Sequence, residues 1–162
     1  MHLRRPGRLP NVSYVGIQRY FLTLCTAERK TWFTNPAIVE PVLSQLLQFA
    51  SDHRFAIPAY VFMPDHLHLL AEGTSVTSNL ERFVGTFKQR TGFWFSREHK
   101  VRLWQDGYYD RILRNDEATL TVVRYILENP VRAKFADSIL TYPYLGSDQY
   151  ALADLVDAVS QG

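Results

Sequence analysis

Two histidines stand two residues apart in the run His66-Leu67-His68-Leu69-Leu70. Side chains of a strand alternate between its faces, so this spacing puts both imidazoles on one face and turns Leu67 and Leu69 to the other. That is metal-ligand spacing, although two imidazoles alone hold a cation weakly and catalytic sites generally add a third ligand. The pair equally suits two half-buried histidines on a sheet face. A second candidate is Tyr125 in Arg124-Tyr125-Ile126-Leu127-Glu128-Asn129-Pro130. At about 100° per residue, Asn129 falls about 40° from Tyr125 on one helical face. Leu120, Val123 and Leu127 gather on roughly the opposite side, where a core stripe belongs. Tyr125 therefore need not be core. Val122 and Ile126 widen the apolar arc toward it, so a boundary tyrosine with a free hydroxyl also fits, and Asn129 before proline also reads as a helix end.

Charge placement adds a third feature. The net charge of +2 decides nothing about partners, but Lys88, Arg90, Arg97, Lys100, Arg102, Arg111 and Arg114 crowd a segment opposed only by Glu98, Asp106 and Asp110. Phe83, Phe87, Phe93, Trp94, Phe95, Trp104, Tyr108 and Tyr109 interleave with them. Cations neutralise a phosphate backbone and aromatic rings stack unpaired bases. An amphipathic helix with core aromatics and a solvated basic face has the same composition. After Lys134 there is no Lys or Arg, and Asp137, Asp148, Asp154 and Asp157 make residues 135–162 an acidic tail unsuited to phosphate.

These residues must be held by elements that the pattern also predicts. Tyr20 to Thr26 reads as a central strand, and Asn35-Pro36 opens a helix to about His53. Ile57 to Phe62 and His66 to Ala71 form a hairpin about Met63-Pro64-Asp65. Ser78 caps a helix to about His99, made imperfect by Gly85 and Gly92. Leu103-Trp104 and Tyr108 to Leu113 flank Asp106-Gly107 as a small hairpin or fourth strand. Asn115 or Asp116 caps a helix through Glu128, stopped by Asn129-Pro130. The order β, α, β, β, α, β, α predicts an α+β fold, a ferredoxin-like antiparallel sheet with helices covering one face.

Size and mix bound the rest. With 162 residues, 46% hydrophobic and 21% charged, the chain fits one domain (1–162) and is too apolar for a disordered one. The expected parts are a core of about 19–134, a basic arm (1–18) in which Arg4, Arg5 and Arg8 can follow a groove, and the acidic tail. No run approaches a membrane span of roughly 18 apolar residues, and no apolar segment follows the Arg-rich start, so a cytoplasmic protein is expected. The single Cys25 can form neither an internal disulfide nor a cysteine-based zinc site. The chain is too short for an amidohydrolase barrel and too helical for a cupin, two other users of His-x-His.

Taken together, the motifs resemble the REP-associated tyrosine transposases, within the single-tyrosine, His-hydrophobe-His (IS200-like) transposases. The matching pieces are Tyr20-Phe21-Leu22-Thr23-Leu24-Cys25-Thr26, Val61-Phe62-Met63-Pro64-Asp65-His66-Leu67-His68-Leu69-Leu70, Tyr108-Tyr109-Asp110-Arg111-Ile112-Leu113-Arg114 and Tyr125-Ile126-Leu127-Glu128-Asn129-Pro130-Val131. They run in the expected order from roughly Arg19 to Lys134. Tyr142-Pro143-Tyr144 with Gly146-Ser147 is weakly similar to the segment that follows the family's tyrosine.

The resemblance implies that His66 and His68 bind a divalent cation, Mg²⁺ or Mn²⁺, with Asn129 at the place of a third, amide-type ligand where the wider family often has Gln. It implies Tyr125 as the nucleophile that takes a 5′-phosphate from DNA. Where many relatives have His after Tyr-Tyr-Asp, this chain has Arg111, so that histidine's role does not carry over. The implied partner is single-stranded or hairpin DNA of the repetitive extragenic palindrome type, bound by a monomer or homodimer in the bacterial cytoplasm at the nucleoid. A hairpin-binding protein that does not turn over, and a metal-dependent hydrolase of small substrates, are the alternatives.

Overall fold

The computed structural model describes residues 13–161, so the basic residues Arg4, Arg5 and Arg8 lie outside the described residues. The elements are β1 (Arg19–Cys25), α1 (Pro36–Asp52), β2 (Phe55–Met63), β3 (His66–Gly73), α2 (Leu80–His99), β4 (Tyr109–Leu113), α3 (Asp116–Arg132), β5 (Leu145–Gly146) and α4 (Leu152–Ser160). Short 3₁₀ turns lie at Ala27–Arg29, Trp32–Thr34 and Ile139–Thr141. The strands form one antiparallel sheet in the order β4-β1-β3-β2-β5. This is the expected α+β arrangement with a fifth strand added at one edge. No helix among the described residues is long and apolar enough to cross a membrane.

Alternation along β1 and β3 divides the core in two. Tyr20, Leu22, Leu24, Leu67 and Leu69 face α1 and α2, where Val42, Leu46, Phe83 and Phe87 meet them. Leu70 with Val61 and Met63 of β2 faces Val122, Val123, Ile126 and Leu127 of α3. Helices therefore cover both faces of the sheet, not one. Strand β2 is buried along its whole length, as a strand covered on both sides must be.

Local expectations are corrected at four points and narrowed at one. The cap of α2 is Asn79, whose side chain accepts from the Arg82 N–H, while the Ser78 hydroxyl donates to the Arg54 carbonyl. The helix runs unbroken through Gly85 and Gly92. Of hairpin or fourth strand, the fourth strand forms, as β4, and Leu103-Trp104 makes no hairpin with it. Trp104 bridges Thr26 and donates its indole N–H to the buried Thr91 hydroxyl, so the core claims it before the edge strand can. Helix α3 continues past Asn129-Pro130 to Arg132: a proline in the last turn costs only the bond to the Ile126 carbonyl, and its ring is buried. Leu120, assigned to the core stripe, is 38% exposed, and Val122 and Ile126 occupy the core instead.

The acidic segment is not a bare tail. Leu145 of β5 and Leu155 and Val159 of α4 are buried in the core beside α3. Helix α4 presents Leu152, Leu155, Val156 and Val159 at helical spacing, a signal that the acidic composition masks in the sequence.

Candidate active site

Strand register builds the centre of the site. His68 lies across from Thr23 and His66 across from Cys25, so both imidazoles stand on the sheet face that α3 covers, with their ring centroids 4.5 Å apart. Each ring is oriented through Nδ1. His66 Nδ1 lies 2.7 Å from Asp65 Oδ1, and His68 Nδ1 lies 2.8 Å from Thr23 Oγ1. The other Asp65 oxygen accepts from Arg29 Nε at 2.9 Å, and Arg29 also reaches the Cys25 sulfur. Tautomers with the proton on Nδ1 leave both Nε2 lone pairs unused, which is how metal-binding histidines are held.

Electrostatics keeps the pair neutral. Burial pushes the His68 pKa down to about 3, and the neighbouring His66, Arg132 and Arg29 act in the same direction. Burial also lowers His66, and the Asp65 carboxylate only partly opposes it. Burial alone would raise Asp65, but its bonds from Arg29 and His66 outweigh that and hold it below the usual carboxylate range. Neutral imidazoles are the form that binds cations.

Helix α3 lays Tyr125 across this centre. Its ring makes T-shaped contacts with His68 at 5.5 Å and with Phe21 at 5.7 Å, yet stays 44% exposed. Asn129 follows one turn later on the same helical face, half-buried. Among the described residues no group of three His, Cys, Asp or Glu could hold a metal ion. Helical spacing brings the Asn129 amide to the face of α3 that carries Tyr125. Two oriented neutral imidazoles and an amide oxygen suit a small divalent cation.

The seven basic candidates separate. Arg90, Arg97, Lys100 and Arg102 are exposed on α2 and the segment after it, on the sheet side away from the histidines. Arg97 lies over the exposed Phe93 ring, 5.6 Å from its centroid. Lys88 is half-buried, and its Nζ donates to the Gln105 and Gly107 carbonyls. Arg114 follows β4 and is exposed. Arg111 pairs with Phe21 across β1 and lies 6.0 Å over that ring, which brings it to the histidine face.

Five contributors were not read from the sequence. Asp65 adjoins the motif and was legible as such. Thr23 and Phe21 become visible only once the β1–β3 register is known. Arg132 falls seven residues after Tyr125, two helical turns on, a spacing that returns to the same face. Arg29 carries no such signal.

A family model described as IS200-like transposase matches residues 15–129. An uncharacterised protein of Haemophilus influenzae is 25% identical, over 81% of this chain and 90% of its own length. A second protein of that organism, named as a REP-associated tyrosine transposase, is 23% identical over 77% of each chain. Two solved structures share the fold. One is a REP-associated tyrosine transposase bound to a REP hairpin, with TM-score 0.70, 18% identity, and coverage of 85% of this chain and 81% of that one. The other is described as a transposase from Deinococcus radiodurans, with TM-score 0.52, 22% identity, and coverage of 75% and 96%. The family match starts just before β1 and takes in both histidines, the tyrosine and the asparagine, so this chain belongs to the IS200-like transposase family.

Proposed function

We propose that the protein is a metal-dependent single-strand DNA transesterase, which cleaves and rejoins hairpin-associated single-stranded DNA through a 5′-phosphotyrosine link on Tyr125. The observation that carries this reading is the exposed phenol ring of Tyr125 packed 5.5 Å from His68, on the face where two neutral imidazoles converge. His66, His68 and Asn129 would hold Mg²⁺ or Mn²⁺. When bound, such a cation supplies charge to polarise a phosphate and offset the charge that develops on it. The rest is done by the chain. Phe21 and His68 hold the phenol beside the phosphate, and Arg111 contributes a positive charge at the same face. The Tyr125 oxygen bonds to phosphorus as the bond to the 3′-oxygen breaks; the phenol gives up its proton and the departing 3′-oxygen gains one. The phosphodiester energy is retained in the new link, so a later 3′-hydroxyl can reverse the step without ATP. One copy of the chain is enough to bring the tyrosine to the histidines. A hairpin substrate is supported by the related structure that is bound to a REP hairpin.

The test is incubation with end-labelled single-stranded hairpin DNA and Mn²⁺, read on a denaturing gel. Wild-type protein should give a slow-migrating covalent adduct, and mass spectrometry should place the nucleotide on Tyr125. Tyr125→Phe should abolish the adduct while hairpin affinity persists, and His66→Ala or His68→Ala should do the same. Tight hairpin binding with no cleavage under any condition would make the protein a hairpin-binding module. Cleavage without a covalent species would make water the nucleophile.

A further inference from the structure

We propose that Arg132 is a positioning residue for Tyr125, clamping the exposed ring so that the phenol stays over the histidine pair. This rests on the transesterase reading above. Tyr125 is nearly half exposed, and an exposed tyrosine ordinarily samples several rotamers. Here its ring is instead held between contacts from the sheet and from its own helix. Phe21 and His68 contact it from the sheet, and the Arg132 guanidinium lies over it, 4.5 Å from the ring centroid. The clamp is itself anchored: Arg132 Nη2 donates to the Tyr125 carbonyl at 2.7 Å, and Nη1 lies 3.4 Å from Glu128 Oε2. One planar group thus grips the ring and the backbone of the same residue.

The local sequence makes this possible. Seven residues return a helix to within about 20° of its starting direction, so Arg132 sits above Tyr125 only because α3 continues past Pro130. Guanidinium suits the task because its flat fork can donate at its edge while its face stacks, which an ammonium cannot do. An exposed cation–π contact adds little to global stability. Its consequence should therefore fall on the rate at which a correctly placed phenol reacts.

The experiment compares Arg132→Gln, Arg132→Lys and Glu128→Gln with wild type. Four quantities are measured: single-turnover adduct rate with labelled hairpin DNA, hairpin affinity, melting temperature, and ¹³C relaxation of the labelled Tyr125 ring in DNA-free protein. Arg132→Gln should slow adduct formation about 10- to 100-fold, the loss typical of a misplaced reacting group. Affinity and melting temperature should hardly move, and the Tyr125 ring should become more mobile. Arg132→Lys should recover part of the rate, and Glu128→Gln, which weakens one anchor but keeps the ring contact and the bond to the Tyr125 carbonyl, should cost less than Arg132→Gln. An unchanged rate with unchanged ring mobility would overturn the proposal. So would an affinity loss as large as the rate loss with a still-rigid ring, because Arg132 would then be a DNA contact. A wild-type protein that forms no adduct would sink the transesterase reading, while ring relaxation would still decide whether Arg132 fixes Tyr125.

Discussion

His68 bears the largest electrostatic cost of any residue at the site, since its imidazole is buried beside Phe21 and Tyr125 and within reach of the charges of Arg132 and Arg29. Its pKa falls from the ordinary 6.5 when unfolded to about 3 when folded. Between those values the unfolded chain binds the proton that the folded chain refuses, so stability must decline as pH drops from 6.5 toward 3. His66 shifts in the same direction. The lowered Asp65 acts at more acid pH: its stabilisation is complete above the ordinary 3.8 and is lost as pH falls through its lower folded value. With chelator present, the wild-type melting temperature should fall steadily between about pH 7 and about pH 4, and His68→Gln should flatten that slope. Equal slopes in the two proteins would mean that His68 is not held neutral by the fold. At this scale the sequence was most informative where chemistry is written in spacing. Two histidines at a period of two and a tyrosine off the core stripe can be found without coordinates. Thr23 cannot, because its partnership with His68 depends on a strand pairing 45 residues apart.

Helix α2 and the segment after it show how an element can assign a cation to structure and not to DNA. Gly107 turns the chain with a positive φ of 75°, a conformation that favours glycine, and its carbonyl and that of Gln105 converge on Lys88 Nζ. This tie holds the Trp104 segment against α2, where the indole is bonded to Thr91. Lys88→Met should therefore lower the melting temperature by a few degrees, as expected for losing a charged hydrogen bond worth about 1.5–3 kcal/mol. The salt dependence of hairpin binding should be left as it was. If Lys88→Met melts like wild type but flattens the salt dependence, Lys88 is a phosphate contact after all. Composition could not make this distinction, because Lys88 and Arg90 look alike in a basic run. The elements that escaped the sequence escaped for separate reasons. Strand β5 is two residues long, too short for any period, and exists only because β2 offers it an edge. The last turn of α3 hides behind Asn129-Pro130, whose stop signal is strong in general and overridden here by burial of the proline ring.

At the scale of the whole molecule, the sheet separates two surfaces that the linear sequence runs together. The histidines, Tyr125, Arg132 and Arg111 belong to the α3 side, whereas Arg90, Arg97, Lys100 and Arg102 project from the α2 side or its end. A DNA hairpin engaged at the tyrosine would reach the second group only by passing round an edge of the sheet, and β4 with the basic segment before it forms such an edge. The acidic stretch 135–161 packs against α3 and the opposite edge, through β5 and α4. Arg111 and Arg114 thus stand on or just after β4, while Asp137, Asp148, Asp154 and Asp157 belong to the segment that carries β5 and α4, a contrast that the net charge of +2 conceals. A strand of phosphates is therefore expected to run along the β4 edge. If it does, hairpin binding should weaken steeply with salt, and each true phosphate contact removed should reduce the log–log salt slope by about 1. Neutralising Arg97 and Arg102 should lower the slope while leaving the adduct rate of the saturated complex intact, because neither residue is near Tyr125. Arg111→Gln should lower both, since it stands beside Phe21 on the reacting face. An affinity insensitive to salt, or an Arg111→Gln variant that reacts at the wild-type rate when saturated, would place the DNA on some other surface.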